Sequence, residues 1–81
     1  MHNYSKMTYY QIIRKILENS ERPLNVQEIW REVKKIEKRV SIVRIYIVLG
    51  KMSKKGKVKK QKKGLYNYYE WAGFNKNPKE Q

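Results

Sequence analysis

At Gly56 the apolar residues of this chain change their period. Upstream they recur at helical spacing in three separate blocks, and downstream they alternate in short strand-like runs. Such a chain has to pack three helices against a hairpin. With 81 residues it has room for one core of that kind.

The first block opens at Thr8. Gln11 stands three residues on, which makes a capping box that satisfies two otherwise orphaned amide donors. Tyr9, Ile12, Ile13, Ile16 and Leu17 then form one helical stripe, stopped by Asn19 and Ser20 before Pro23. The second block opens at Asn25, with Glu28 at the third helical position and Leu24 and Ile29 placed as a hydrophobic staple. Its buried stripe reads Val26, Ile29, Trp30, Val33 and Ile36. A polar turn from Glu37 to Val40 leads to Ser41, the natural N-cap of the third block. The inward face there reads Ile42, Ile45, Tyr46, Leu49 and Met52, and Gly56 closes the helix. Gly50, inside that helix, costs about 1 kcal/mol relative to Ala and points to close packing against another backbone. Lys57 to Gln61 forms one strand, with Val58 turned inward. Lys62, Lys63 and Gly64 make the turn, and Leu65 to Trp71 return. On the return strand Leu65, Tyr69 and Trp71 belong to the core face, and Tyr66 and Tyr68 to the other.

This order divides the chain into an arm over 1–7, a domain over 8–71 and a tail over 72–81. In the tail, Phe74 is placed to fold back on the core and Asn75 to Gln81 to fray. The fold class is α+β: three helices followed by a two-stranded hairpin, the order of a winged helix-turn-helix.

Charge sets the partner class. The net charge is +13, and residues 38–69 hold eleven bases and no acid, whereas residues 1–37 hold seven bases and five acids. Such a field opposes folding and is best explained by a polyanion. A lysine-rich or heat-adapted proteome explains abundant Lys but would intersperse Glu with it. With no Cys, no Asp and one His, at position 2, neither a catalytic pair nor a zinc ligand set can be assembled, so no enzyme, metal or cofactor is expected. No apolar run reaches the length of a membrane span, so the expectation is a soluble cytoplasmic protein.

Leu24, Glu28 and Ile29, then Ser41, Ile45, Tyr46, Leu49, Met52, Gly56 and Val58, then Gly64 and the pair Tyr69 and Glu70 resemble the DNA-binding half of ferric uptake regulators. They are also similar to small archaeal, bacterial and viral winged-helix repressors. The resemblance covers residues 8–71 and implies a regulator that places its third helix in the major groove of duplex DNA. Metal sensing is not expected to carry over, because these 81 residues leave no room for the second, metal-binding domain of that family and lack its ligands. Nor is its sequence preference: where the family commonly has Thr, Tyr and Arg at the groove, this chain has Arg44, Tyr46 and Ile47.

On the third helix the outer face reads Val43, Arg44, Ile47 and Lys51. Arg44 suits a guanine edge or, equally, a phosphate. Val43 and Ile47 either meet thymine methyls or, if the helix phase is off by one, join the core. Ser41, Lys51, Lys54, Lys60, Lys62 and Lys63 complete the expected DNA contacts. Lys38 and Arg39 in the turn reach the opposite backbone edge. Tyr66 and Tyr68 either stack on unpaired bases or pack partly against the first helix. The expected partner is duplex DNA, bound by a homodimer through the first helix or the chain ends. RNA binding, or docking within the transcription machinery, is the alternative for the same fold.

Overall fold

The computed structural model describes residues 7–72. Residues 1–6 of the arm and 73–81 of the tail, Phe74 and the segment 75–81 among them, lie outside the described residues. The element order is α1 (Tyr9–Asn19), β1 (Leu24–Asn25), α2 (Val26–Ile36), α3 (Ile42–Lys54), β2 (Val58–Lys63) and β3 (Tyr66–Trp71). Met7 packs against the core, and Ala72 is buried with its N–H donating to the Lys57 carbonyl at 2.8 Å.

Each helix begins where its cap residue stands. The Thr8 hydroxyl accepts from the Gln11 amide at 3.2 Å, and the Gln11 side chain accepts from the Thr8 amide at 2.9 Å. Asn25 and Glu28 repeat that reciprocal pair at 2.9 Å each way. Ser41 accepts from the Arg44 amide at 3.2 Å. At the end of α3 the Lys57 N–H reaches the Met52 carbonyl at 2.9 Å and the Gly56 N–H the Ser53 carbonyl at 3.0 Å. This is a Schellman closure, and it requires the positive φ of 73° that Gly56 holds. The chain therefore turns sharply out of α3 into β2.

The sheet has three strands in the order β1, β3, β2, all antiparallel. A two-stranded hairpin was expected, and β1 is the addition. Its cause is the cap itself: an N-cap residue is extended, and Asn25 at φ −85° and ψ 174° lets Leu24 and Asn25 pair with Tyr69 and Tyr68. The two-residue strand thus ties the start of α2 to the central strand.

Ile13, Ile29, Val33, Ile45, Leu49 and Met52 are the largest fully buried side chains, with Val58, Tyr69 and Trp71 closing the core from the sheet. Burying each large aliphatic side chain stabilises the fold by about 1.5–3 kcal/mol. Several positions depart from the sequence expectation. Val40, assigned to the polar turn, is buried. Its carbonyl accepts the Trp30 indole N–H at 3.1 Å, which pins α2 to the turn before α3. Ile36 is exposed at the rim of an open groove between α1 and α2, shared with Met7, Ile12 and Ile16. The inward stripe of α3 is Ile45, Val48, Leu49 and Met52, so Val48 takes the place given to Tyr46. The hairpin turn contains two residues, Gly64 and Leu65, which leaves Lys62 and Lys63 in β2 and Leu65 outside the core.

Candidate nucleic-acid interface

The outer surface of α3 is built by exclusion. Once Ile45, Val48, Leu49 and Met52 face the core, the 100° step of the helix turns Val43, Ile47, Gly50 and Lys54 directly away from it. Val43 is 61% exposed and Ile47 46%, so neither belongs to the core. Arg44 and Lys51 flank this ridge on one side. Arg44 lies with its guanidinium carbon 5.7 Å from the ring centre of Tyr9, so in the free protein it rests on α1. Tyr46, 55% exposed, flanks the ridge on the other side, toward the sheet. Burial pushes the Tyr69 phenol above its ordinary pKa, and the neighbouring Tyr46 phenol adds to that shift.

Gly50 packs against no other backbone among the described residues. A methyl group built on it would meet nothing within 4 Å, so the close approach expected from the sequence is not made by any of them. Ser41 is committed as the N-cap, with its oxygen already accepting from Arg44. Lys38 and Arg39 are exposed in the turn between α2 and α3, and Lys51 and Lys54 are exposed along α3.

On the hairpin, the register sorts the lysines by face. Val58, Lys60 and Lys62 alternate on one face of β2, opposite Trp71, Tyr69 and Asn67. Lys59, Gln61 and Lys63 take the other face, opposite Glu70, Tyr68 and Tyr66. Lys60 and Lys62 therefore share the face that buries Tyr69 and Trp71 against the helices, and Lys63 points the other way. Tyr66 is exposed and Tyr68 half-buried. Leu65, assigned to the core by parity with Tyr69, is 91% exposed at the turn. Gly64 holds φ 62° and no non-glycine described residue has a positive φ, the II′ pattern for a two-residue hairpin turn.

The ion pairs fall on the other half of the domain. Arg14 pairs with Glu18 at 3.0 Å, Arg22 with Glu28 at 2.8 Å and Lys35 with Glu32 at 3.1 Å. The partner of Glu28 is thus Arg22, in the loop before the helix. That guanidinium, with the Asn25 amide, holds the Glu28 carboxyl below its usual pKa. Among the described residues, none of the eleven basic side chains of 38–69 enters an ion pair. Even Lys59, facing Glu70 across the ladder, makes none. Among the described residues, no three His, Cys, Asp or Glu side chains gather as a metal site, and no helix is long and apolar enough to cross a membrane.

Several solved structures share this architecture, Fur and HOP2 among them. The Helicobacter pylori ferric uptake regulator Fur, in a structure reported to reveal three functional metal binding sites, superposes with a TM-score of 0.75 at 22% identity, covering 78% of this chain and 44% of that chain. HOP2, in a structure reported to describe DNA recognition and protein interaction domains and homologous DNA pairing, gives 0.70 at 21% identity over 78% of this chain and 97% of that chain. The fold is a winged helix. At these identities the likeness carries the fold alone, and the chain spans less than half of the Fur structure. No protein-family model matches the sequence, and no curated protein matches it.

Sequence reasoning missed Tyr46, Gly50 and Leu65 as surface features of this side. For Tyr46 a signal existed. Ile45, Val48, Leu49 and Met52 follow i, i+3, i+4, i+7, a stripe that leaves Tyr46 outside.

Proposed function

We propose that this chain binds double-stranded DNA in a sequence-specific manner and acts as a transcription regulator, with α3 in the major groove and the lysines of the hairpin on the phosphates. The observation that carries this reading is the set of eleven basic side chains in 38–69 without an ion pair among the described residues, beside an α3 whose outer face no described residue covers. Unpaired like charges raise the free energy of the folded state, and a phosphate backbone relieves that cost. One α-helix fits the major groove. Phosphate contacts hold the register, and side chains on the outer face of α3 read base edges. Arg44 leaves its stack on Tyr9 to reach a guanine, and Lys38 and Arg39 take the backbone across the groove. Two copies occupy paired half-sites. The reported DNA recognition by HOP2 domains of this fold is in keeping with that role.

A second reading has one observation in its favour. Tyr66 is exposed on the hairpin, where it can stack on an unpaired base, which suits RNA or single strands. Affinity for duplex DNA, single-stranded DNA and duplex RNA, measured at one fixed salt concentration, separates the two. The proposal requires duplex DNA to bind most tightly, and selection from a random duplex pool to enrich an inverted repeat. Preference for single strands or RNA contradicts it.

A further inference from the structure

We infer that the tip of the hairpin is a minor-groove wedge: Leu65 enters the groove beside the one α3 occupies, parts a base step there and bends the duplex. The inference rests on the duplex-DNA reading above and adds a deformation that binding alone does not require.

A solitary exposed leucine on a protein surface is ordinary. Leu65 is not solitary in that sense. It occupies the second position of a two-residue turn, at 91% exposure, at the outermost point of the hairpin. Tyr66 follows it, itself 53% exposed, and Lys62 and Lys63 precede it. Apolar bulk at the apex, with cations just behind it, is the arrangement that lets a side chain enter a stack of bases while the flanking charges hold the phosphates.

The hairpin projects beyond the third strand of the sheet: β1 pairs with β3 as far as Tyr68, and from that pair the hairpin runs three residues to Leu65, roughly 10 Å at about 3.4 Å per residue. The strands lie about 4.8 Å apart between backbone axes, before atomic radii are counted, so what can enter a groove about 6 Å wide is the apical side chain and not the whole hairpin end. The tight turn keeps that end narrow, and it depends on Gly64 at φ 62°.

The test uses a duplex labelled at both ends for energy transfer, with 2-aminopurine placed across the central steps. Binding of the full chain should shorten the end-to-end distance, as a bend in the range of about 20–90° does, and should raise 2-aminopurine emission as a step unstacks. Leu65→Ser should abolish both signals while leaving the salt dependence of binding unchanged, and Leu65→Phe should restore them. Circular dichroism checks that each variant is folded, and the exposed site makes loss of the core an unexpected outcome. A straight duplex with wild-type protein bound overturns the wedge and leaves the duplex-DNA reading standing, as does a Leu65→Ser variant that bends DNA equally well. Absence of salt-dependent duplex binding brings down both. Vesicles containing phosphatidylserine form the remaining arm. If Leu65→Ser loses vesicle binding while DNA bending persists, the tip serves a membrane surface and the wedge is wrong.

Discussion

Trp30→Ala probes the joint that sets the angle between α2 and α3. Trp30 is partly buried rather than enclosed, and Lys34 Nζ lies 4.3 Å from its ring centre on the open side. Truncating a buried Trp costs roughly 3–5 kcal/mol, and a ring with one side open belongs at about 3. Of this, the indole N–H to the Val40 carbonyl, at 3.1 Å, accounts for about 1 kcal/mol. Since 1 kcal/mol moves the melting temperature of a domain this size by about 4–8 °C, Trp30→Ala should melt roughly 12–24 °C lower. Trp30→Phe keeps most of the ring, loses the donor, and should melt about 4–8 °C lower. Lys34→Met should have little effect, because an exposed cation–π contact is worth only about 0.5–1 kcal/mol and the methionine keeps the packing. Thermal melts followed by far-ultraviolet circular dichroism measure all three. If Trp30→Ala melts within a few degrees of wild type, the indole does not hold the turn, and the placement of α3 rests on something else.

Four further variants test other parts of the account. Arg44→Ala should cost about 1–3 kcal/mol on a preferred duplex and much less on random duplex. A combined Lys60, Lys62 and Lys63→Ala variant should weaken both duplexes alike and flatten the salt slope by about one unit for each phosphate no longer neutralised. Equal weakening by Arg44→Ala on both duplexes would reduce Arg44 to a phosphate-binding role. Gly50→Ala should stabilise the free protein by about 1 kcal/mol, since the added methyl meets nothing within 4 Å, and a lowered melting temperature would contradict that. The Glu28 carboxyl is depressed below 4.5 by Arg22, so its stabilising contribution is present above that pH and is lost as pH falls through the depressed value. Glu28→Gln, which can still cap Asn25, should therefore lose less stability than wild type between neutral pH and about pH 3, as read from melting temperatures, and parallel profiles would refute the assignment.

The parts of this fold that were legible in the sequence are those set by local chemistry. The caps at Thr8, Asn25 and Ser41 and the closure at Gly56 each rest on side chains or a backbone conformation within four residues, and all stand where the residue types placed them. The alternation of β3 correctly put Tyr69 and Trp71 inside. What escaped was set by distant neighbours. In α3 apolar residues run almost continuously from Ile42 to Leu49, because the outward face is apolar as well as the inward one. The stripe of Ile45, Val48, Leu49 and Met52, which favours Val48 over Tyr46, is therefore masked by apolar neighbours on both sides. A surface shaped for a partner weakens the pattern that marks a core. Leu65 was lost to the same parity argument, since a two-residue turn ended the strand one position early. The pairing of Leu24 and Asn25 with β3 joins segments more than forty residues apart, and no local signal announces it. The basic half of the site was legible from composition, but its division between the two faces of the hairpin needed the register.

The central claim is that residues 38–69 carry unpaired charge because they neutralise the phosphates of duplex DNA. A fluorescence-anisotropy titration of the full chain against a duplex, repeated across salt concentrations, tests it most directly. If about six phosphates are neutralised, each releasing about 0.9 of a counterion, log affinity should fall linearly against log salt with a slope near −5. A slope near zero would mean that the lysines of the hairpin do not meet the phosphates, and it would contradict the account.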